Sequence, residues 1–332
     1  MRLSDQNLPT YLAAHGLLTQ PGAARVELAG DGNINFVRRV RAADGSTLIV
    51  KQARDALERF PEYRVTTERI VFENRYLQQA ALAAPEHASL LPAVHHFDEE
   101  ERVLVLEDLG TRRMDELGSA GDAGEVLATL GGFLGAVHEG TRSISTRLKA
   151  EFGNEEMRRL HGEHIFTLPY ELGAFPLSDA VHRAAADVLG RPGVLSEIDA
   201  LRDHYYGDAD ALVHADAQPG NVMLAAGGPR LIDAEIAHVG DPAFDLGIVL
   251  AHVEVAALAS HDAAPWTRAA ARLLEGYLRG GGRADDVERA HRHAGVELLR
   301  RTIGAARLAR LEPDALSEAA LWRGAELLLG RS

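Results

Sequence analysis

Hydrophobic and polar positions alternate through the first third of the chain. "ARVELAG" alternates and stops at Gly30, "INFVRRVR" follows, and the turn "AADGS" leads into "TLIVKQ". Alternation puts one face of a strand inward and the other outward, and an Asp-Gly turn between two such runs predicts a hairpin. From about Val65 to Leu82 the apolar spacing changes to three and four residues, which predicts a helix. "LLPAVHHFD" and "RVLVLEDLG" return to strand patterning. Residues 1–109 therefore predict a small antiparallel sheet carrying one helix.

From about Asp122 onward helical spacing dominates, over residues 122–140, 178–204, 264–280 and 287–310. One stretch interrupts it. "NVMLA" and "RLID", joined by "AGGP", predict a second hairpin whose ends project acidic residues. No internal repeat or low-complexity tail is present. The pattern is α+β, with a small N-terminal lobe (1–109) and a larger, mostly helical C-terminal lobe (110–332) that meet just after "EDLG".

Composition narrows the function classes. The chain has 332 residues, 46% of them hydrophobic, which suffices for a packed core. It has no cysteine, which excludes disulfides and thiolate metal sites. The formal net charge of −14 argues against a nucleic-acid binder, which needs a basic face. The first residues carry acids and no long apolar run, unlike a signal peptide, and no stretch reaches the ~18 apolar residues of a membrane span. A cytoplasmic protein without a membrane partner is expected.

The chemistry is concentrated between His214 and Gly247, in "HADAQPGNVMLAAGGPRLIDAEIAHVGDPAFDLG". Unpaired buried carboxylates are costly, so acids beside apolar strands need compensation. Asp216 precedes the hairpin, Asn221 follows five residues later, Asp233 ends the hairpin, and Glu235 stands two residues beyond. In an extended segment positions two apart share a side, so Asp233 and Glu235 are expected to hold one Mg²⁺, with Asn221 adding a neutral oxygen. Asp216 stands apart and is free to orient and deprotonate a hydroxyl. Any one of these acids taken alone is explained as a turn or helix cap. The ordered set matches phosphoryl transfer: a catalytic-loop aspartate, an asparagine, then a metal-binding aspartate after a hairpin. Asp241 and Asp245 are assigned structural roles, as a helix start and a brace for the catalytic loop. His214 is likewise assigned to bonding the backbone of that loop.

Phosphoryl transfer also needs a nucleotide site, and the first lobe supplies candidates for ATP. Lys51 ends "TLIV", where its ammonium can reach phosphates. Glu73 lies on the apolar face of the predicted helix with Ile70 and Leu77, an odd place for a charge unless it pairs with Lys51. In "GDGNINF", Gly30, Asp31, Gly32 and Asn33 form a loop whose glycines let backbone approach phosphates. A plain hairpin turn would look similar. "VLEDLG" is the expected hinge, with backbone near Glu107 and Leu109 reading adenine.

These residues resemble the aminoglycoside phosphotransferase/choline kinase group, small-molecule kinases with a protein-kinase-like two-lobed fold. His214 to Asp216, Asn221, Asp233 and "GDPAFDLG" carry that likeness. Within the group the chain is most similar to the 5-methylthioribose kinases, through "GDGNINFV", "IVKQA", "FGNEEMRRLHGEHIFTLPY", "IDAEIA" and "LLRRTIGAARL". The chain departs from them in its catalytic loop "HADAQPGN" and in the residues between Lys51 and Glu73. The resemblance implies ATP and Mg²⁺ as cofactors and a small alcohol, favouring a sugar, as substrate; it is compatible with a homodimer. It also implies that Arg300 and Arg301 bind the sugar and that Arg323 matches a further arginine. Spacing alone predicts otherwise for one of the pair, since adjacent helix positions diverge by roughly 100°. Two other readings stay open: an aminoglycoside or other antibiotic phosphotransferase, and a nucleotide-binding regulator without catalysis.

Overall fold

The computed structural model describes residues 1–30, 35–56, 64–117, 119–207 and 210–330. A short helix α1 (Leu8–Ala14) precedes strands β1 (Arg25–Leu28), β2 (Phe36–Arg41) and β3 (Thr47–Gln52). Helix α2 (Arg69–Ala83) and strands β4 (Val94–Asp98) and β5 (Val103–Glu107) complete the first lobe. The strands form one antiparallel sheet in the order β1-β2-β3-β5-β4. Strand alternation sorts its two faces. Val50, Val103 and Val105 pack with Leu8, Tyr11 and Leu12 of α1. Leu104 and Leu106 pack with Ile70, Tyr76 and Leu77 of α2. Lys51 alternates with Val50 and so points to the α2 side.

The second lobe contains α3 (Ala120–Arg142), α4 (Ser145–Glu151), α5 (Glu155–Phe166), α6 (Asp179–Leu189) and α7 (Val194–Tyr206). Short strands β6 (Ala211–Val213), β7 (Val222–Ala225), β8 (Gly228–Leu231) and β9 (His238–Gly240) follow. Helices α8 (Pro242–Leu258), α9 (Ala264–Arg279), α10 (Ala284–Ile303) and α11 (Asp314–Leu328) close the chain. β7 and β8 form the expected hairpin, and β6 pairs with β9. Together they hold the catalytic-loop region on the helical layer. The core does not stop at the junction between sheet and helices: residues of α2 and β5 share it with α3, α8, α9 and α10.

Two expected helices differ. The segment 178–204 is two helices, broken at Gly190–Gly193, where Pro192 lacks an N–H and Gly193 adopts φ 95°. The segment 287–310 is helical only to Ile303; there the Gly304 N–H caps the Arg300 carbonyl at 2.8 Å. The long helix α3 crosses α9 with backbones touching. A Cβ on Gly131 would lie 2.1 Å from the Leu273 carbonyl oxygen, so only glycine fits. That approach sets His138 of α3 against Tyr277 of α9 at 3.2 Å and against Asp245 of α8 at 3.1 Å. Among the described residues no helix is long and apolar enough to cross a membrane.

Candidate active site

A cleft of about 530 Å³ lies between the sheet and the β7–β8 hairpin. Val37, Ile49 and Leu106 line it from the sheet, Met223 and Ile232 from the hairpin. Two apolar walls facing each other suit a flat aromatic ring. Gly30, Glu107 and Leu109 also line this cleft. Gly30 takes φ 73°, a backbone conformation that favours glycine. Asp31, Gly32 and Asn33 lie outside the described residues. The hinge is clamped: Arg39 of β2 donates two bonds to Asp108, at 2.7 and 2.9 Å, and one to the Gly110 carbonyl at 2.9 Å.

Lys51 lies at the inner end of the cleft. Its Nζ donates to both Glu73 oxygens at 2.9 and 2.8 Å and to Asp233 Oδ1 at 2.6 Å, and lies 3.1 Å from Glu235 Oε1. The expected Lys51–Glu73 pair is therefore present and explains a charge on the apolar face of α2. Burial would lower the Lys51 ammonium, but Asp233, Glu73 and Glu235 outweigh it and hold it well above the ordinary lysine value. Burial raises the Glu73 carboxyl to about 7 against the pull of Lys51. Asp233, whose side chain keeps 43% exposure to the cleft, is held below the usual range; burial opposes this, and the Lys51 charge and hydrogen bond prevail.

Asp233 and Glu235 meet for a reason other than the one expected. The segment between them is not extended. Asp233 takes φ 72°, a left-handed conformation uncommon outside glycine, and the turn it makes aims both carboxylates at Lys51. Glu235 is buried, and both its oxygens already have partners. Asn35 donates to Oε1, and the Arg69 Nε lies 3.2 Å from Oε2. Arg69 in turn donates to Asn35 Oδ1 at 2.6 Å. Asn35 and Arg69 carry no recognisable motif and were not expected; Asn35 does belong to "GDGNINF". Asn154 explains the "FGNEE" stretch: it donates to the Glu235 carbonyl at 2.8 Å and props the turn.

A cation fits this donor set. The oxygens of Glu73, Asp233 and Glu235 approach within 4.8 Å of one another. Three carboxyl groups stand against two fixed cations, Lys51 and Arg69, and the Asp233 side chain stays open to the cleft. Asn221 donates through Nδ2 to the Asp216 carbonyl and carboxylate at 2.9 and 2.8 Å, which leaves its Oδ1 as the remaining oxygen.

The loop from His214 to Asn221 is held from below. Asp245, fully buried, accepts the His214 N–H at 2.8 Å and the Ala215 N–H at 2.7 Å, as a brace should. Those two bonds fix Ala215 at φ 66°, a strained conformation for alanine that needs such over-determination. His214 Nδ1 accepts the Asp216 N–H at 3.2 Å, so Nε2 carries the proton and donates to the Ile232 carbonyl at 3.1 Å. Asp241 caps α8 through the Ala243 N–H at 3.1 Å and binds Arg289 and His293. Asp216 itself stays apart from the Lys51 cluster. Burial raises its carboxyl to about 7, although the Arg301 charge pulls it down.

Both arginines of the α10 pair are buried, at 5% and 8% exposure, so neither is a helix-surface residue. Glu297 explains it. Positions three and four residues on lie on one helix face, and a single carboxylate there grips both guanidinium groups. Arg300 binds both Glu297 oxygens, one at 2.9 Å, and Arg301 binds Oε1 at 2.7 Å. Arg301 then reaches Gln218 at 2.9 Å, whose amide donates to Asp216 at 3.3 Å. Glu297 and Gln218 were not expected from sequence. Arg323 is not part of this group: it pairs with Glu254 at 3.0 and 3.1 Å and with Glu326 at 3.4 Å. Among the described residues no side-chain bond joins it to the Glu297 cluster.

The model of the "Phosphotransferase enzyme family" matches residues 25–293. A methylthioribose kinase of Exiguobacterium sibiricum is 28% identical over 325 residues, covering 86% of this chain and 81% of its own. One from Bacillus velezensis is 26% identical over 352 residues, covering 94% and 86%. Among solved structures, an amicoumacin kinase in complex with AMP-PNP and Ca²⁺ superposes with a TM-score of 0.55 at 18% identity, covering 97% of this chain and 93% of its own. At that identity the likeness speaks for the fold.

Proposed function

The chain belongs to the phosphotransferase enzyme family, and we propose that it is an ATP- and Mg²⁺-dependent cytoplasmic kinase that phosphorylates a hydroxyl of methylthioribose or a related 5-modified ribose. The observation that carries the acceptor class is the Arg300–Glu297–Arg301 group beside Asp216. Glu297 offsets one guanidinium, so one positive charge remains toward the catalytic carboxylate. A fixed fork of donors suits neutral sugar hydroxyls and opposes an amine. The methylthioribose kinase relatives, matched over most of the chain, support the same choice.

The residues divide the work as follows. The cleft between Ile49, Leu106, Met223 and Ile232 takes the adenine ring. Lys51 neutralises phosphate oxygens. Asp233, with Glu235 behind it and Asn221 beside it, would hold Mg²⁺, which when bound neutralises charge on the phosphates. Asp216 accepts the proton of the acceptor hydroxyl as its oxygen bonds to the terminal phosphorus, while the bond from that phosphorus to the bridging oxygen breaks and ADP leaves. Gln218, held by Arg301, positions Asp216. An ADP-release screen over sugars, nucleosides and aminoglycosides tests this reading: turnover of neutral 5-modified pentoses supports it, and turnover confined to polyamines refutes it.

A further inference from the structure

A second group of metal-ligating side chains lies outside the phosphotransfer cleft, where α1 meets the edge strand β4. His15 follows α1 directly; His96 and Asp98 are alternate positions of β4, so both face the α1 side of the sheet. The β4–β5 register shifts between Val94 and His96, an irregularity of the kind that re-aims a side chain at a sheet edge. Ligand atoms of His15, His96 and Asp98 all lie within 4.8 Å of one another.

Two of the three, His15 and Asp98, are held from behind. His15 Nδ1 lies 2.9 Å from the Tyr11 carbonyl and so carries the proton, which leaves the Nε2 lone pair bare, 3.9 Å from Asp98 Oδ2. Backbone-bonded imidazoles of this type are the usual support of a metal ligand. Asp98 accepts the Glu101 N–H at 2.9 Å on Oδ1 and the Tyr11 hydroxyl at 2.9 Å on Oδ2. The His96 Nε2 is buried and has no hydrogen-bond partner among the described residues, although its ring centre is 4.6 Å from that of His15. The ring stack of Tyr11, His15 and His96 accounts for the packing of the two imidazoles, but among the described residues it leaves the His96 nitrogen unpartnered beside a second bare ring nitrogen and a fixed carboxylate.

We propose that His15, His96 and Asp98 form a binding site for one divalent transition cation of the zinc class, which ties α1 to the edge of the sheet. Two imidazole nitrogens and one carboxylate oxygen suit Zn²⁺ or Co²⁺ with water as the fourth ligand, and suit Mg²⁺ poorly. The site shares no residue with the cleft that holds Lys51 and Asp233.

The test is titration of the metal-free full chain with Co²⁺ in excess Mg²⁺, which saturates the carboxylates of the cleft, followed by displacement with Zn²⁺. One equivalent should bind with the visible absorption of four-coordinate Co²⁺. His15→Gln and His96→Ala should each weaken binding by at least about 10-fold, the scale seen when metal-site residues are removed. Asp98→Asn is a third variant that keeps size and shape should His96→Ala not fold. Phosphotransfer with Mg²⁺ and ATP should be unchanged in His15→Gln. Binding that persists unaltered in the folded variants, or that disappears in Asp233→Ala instead, overturns the proposal and leaves an ordinary stack of histidines with a hydrogen-bonded aspartate.

Discussion

Lys51 Nζ lies 2.6 Å from Asp233 Oδ1, joining β3 of the first lobe to the turn after the β7–β8 hairpin. The ammonium occupies the middle of the carboxylates proposed to hold the cation. In the free protein Lys51 and a divalent ion therefore compete for Asp233. Lys51→Met should bind Mn²⁺ more tightly than the wild type when nucleotide is absent, and should lose most of its turnover. Calorimetric titration checks the first part; equal or weaker Mn²⁺ binding in the variant would remove Lys51 from the metal pocket.

The two carboxylates proposed to hold the metal separate by exposure. Asp233 has the open side chain, whereas Glu235 is already engaged by Asn35 and Arg69. Asp233→Ala should abolish activity at any practical Mg²⁺ concentration. Glu235→Ala should raise the Mg²⁺ requirement and recover in part with excess Mg²⁺ or Mn²⁺. Steady-state rates across a metal titration decide it, and an unchanged metal dependence in both variants contradicts the assignment.

Asp216 should control the acid side of the pH profile. Its carboxyl is raised to about 7, and a base works only when deprotonated. kcat/KM should rise with pH through that value and level off above it. Asp216→Asn should lower kcat by at least about 10²-fold and remove this dependence, with ATP affinity nearly unchanged. Near-wild-type turnover in the variant would take Asp216 out of the mechanism.

Asp245 should matter to stability as much as to catalysis. Removing its carboxylate leaves the His214 and Ala215 N–H groups and His138 without their acceptor. Asp245→Ala should cost about 3–5 kcal/mol, the scale for losing one partner of a buried charged network, in urea denaturation. Burial alone would raise this carboxyl, but His138 and the loop amide hold it below the usual range. A lowered folded pKa means that its stabilisation is full above the unfolded value of about 3.9 and is lost as pH falls through the folded one. The stability gap between wild type and variant should therefore be constant near neutrality and shrink in strong acid. A gap that widens on acidification would show the sign to be wrong.

The arginine pair should govern the acceptor and not the nucleotide. Arg301→Ala should raise the sugar KM by roughly 10- to 150-fold, the value of one charge-assisted hydrogen bond at about 1.5–3 kcal/mol, with little change in KM for ATP. One unneutralised guanidinium near 4 Å from an ammonium costs roughly 4 kcal/mol at an effective dielectric of about 20, which disfavours kanamycin-type amines. Aminoglycoside turnover that improves when the arginines are removed would reverse the choice of substrate.

Part of this site is legible in the sequence because its residues are local. Asp216, Asn221 and Asp233 keep their spacing through one hairpin, and Glu73 betrays itself as a charge on an apolar helical face. Glu297 was also readable, since Glu-x-x-Arg-Arg places one acid opposite two bases on a helix, but nothing in that pattern says that the face is buried. Asn35, Arg69 and Gln218 act through approaches that close only on folding; Asn35 meets Glu235 across 200 positions. The left-handed turn at Asp233 could not be read because no glycine marks it. Arg323, placed by resemblance, stands in ion pairs with Glu254 and Glu326 that its place in the sequence does not announce.

The most direct test of the central claim follows the phosphorus. Phosphorus NMR of the protein with ATP, Mg²⁺ and methylthioribose should show a new phosphomonoester growing as the terminal phosphate of ATP disappears, and no such signal with kanamycin in place of the sugar. Release of inorganic phosphate alone, or an ester formed only on the amine-bearing acceptor, would contradict the assignment of this site to a sugar hydroxyl.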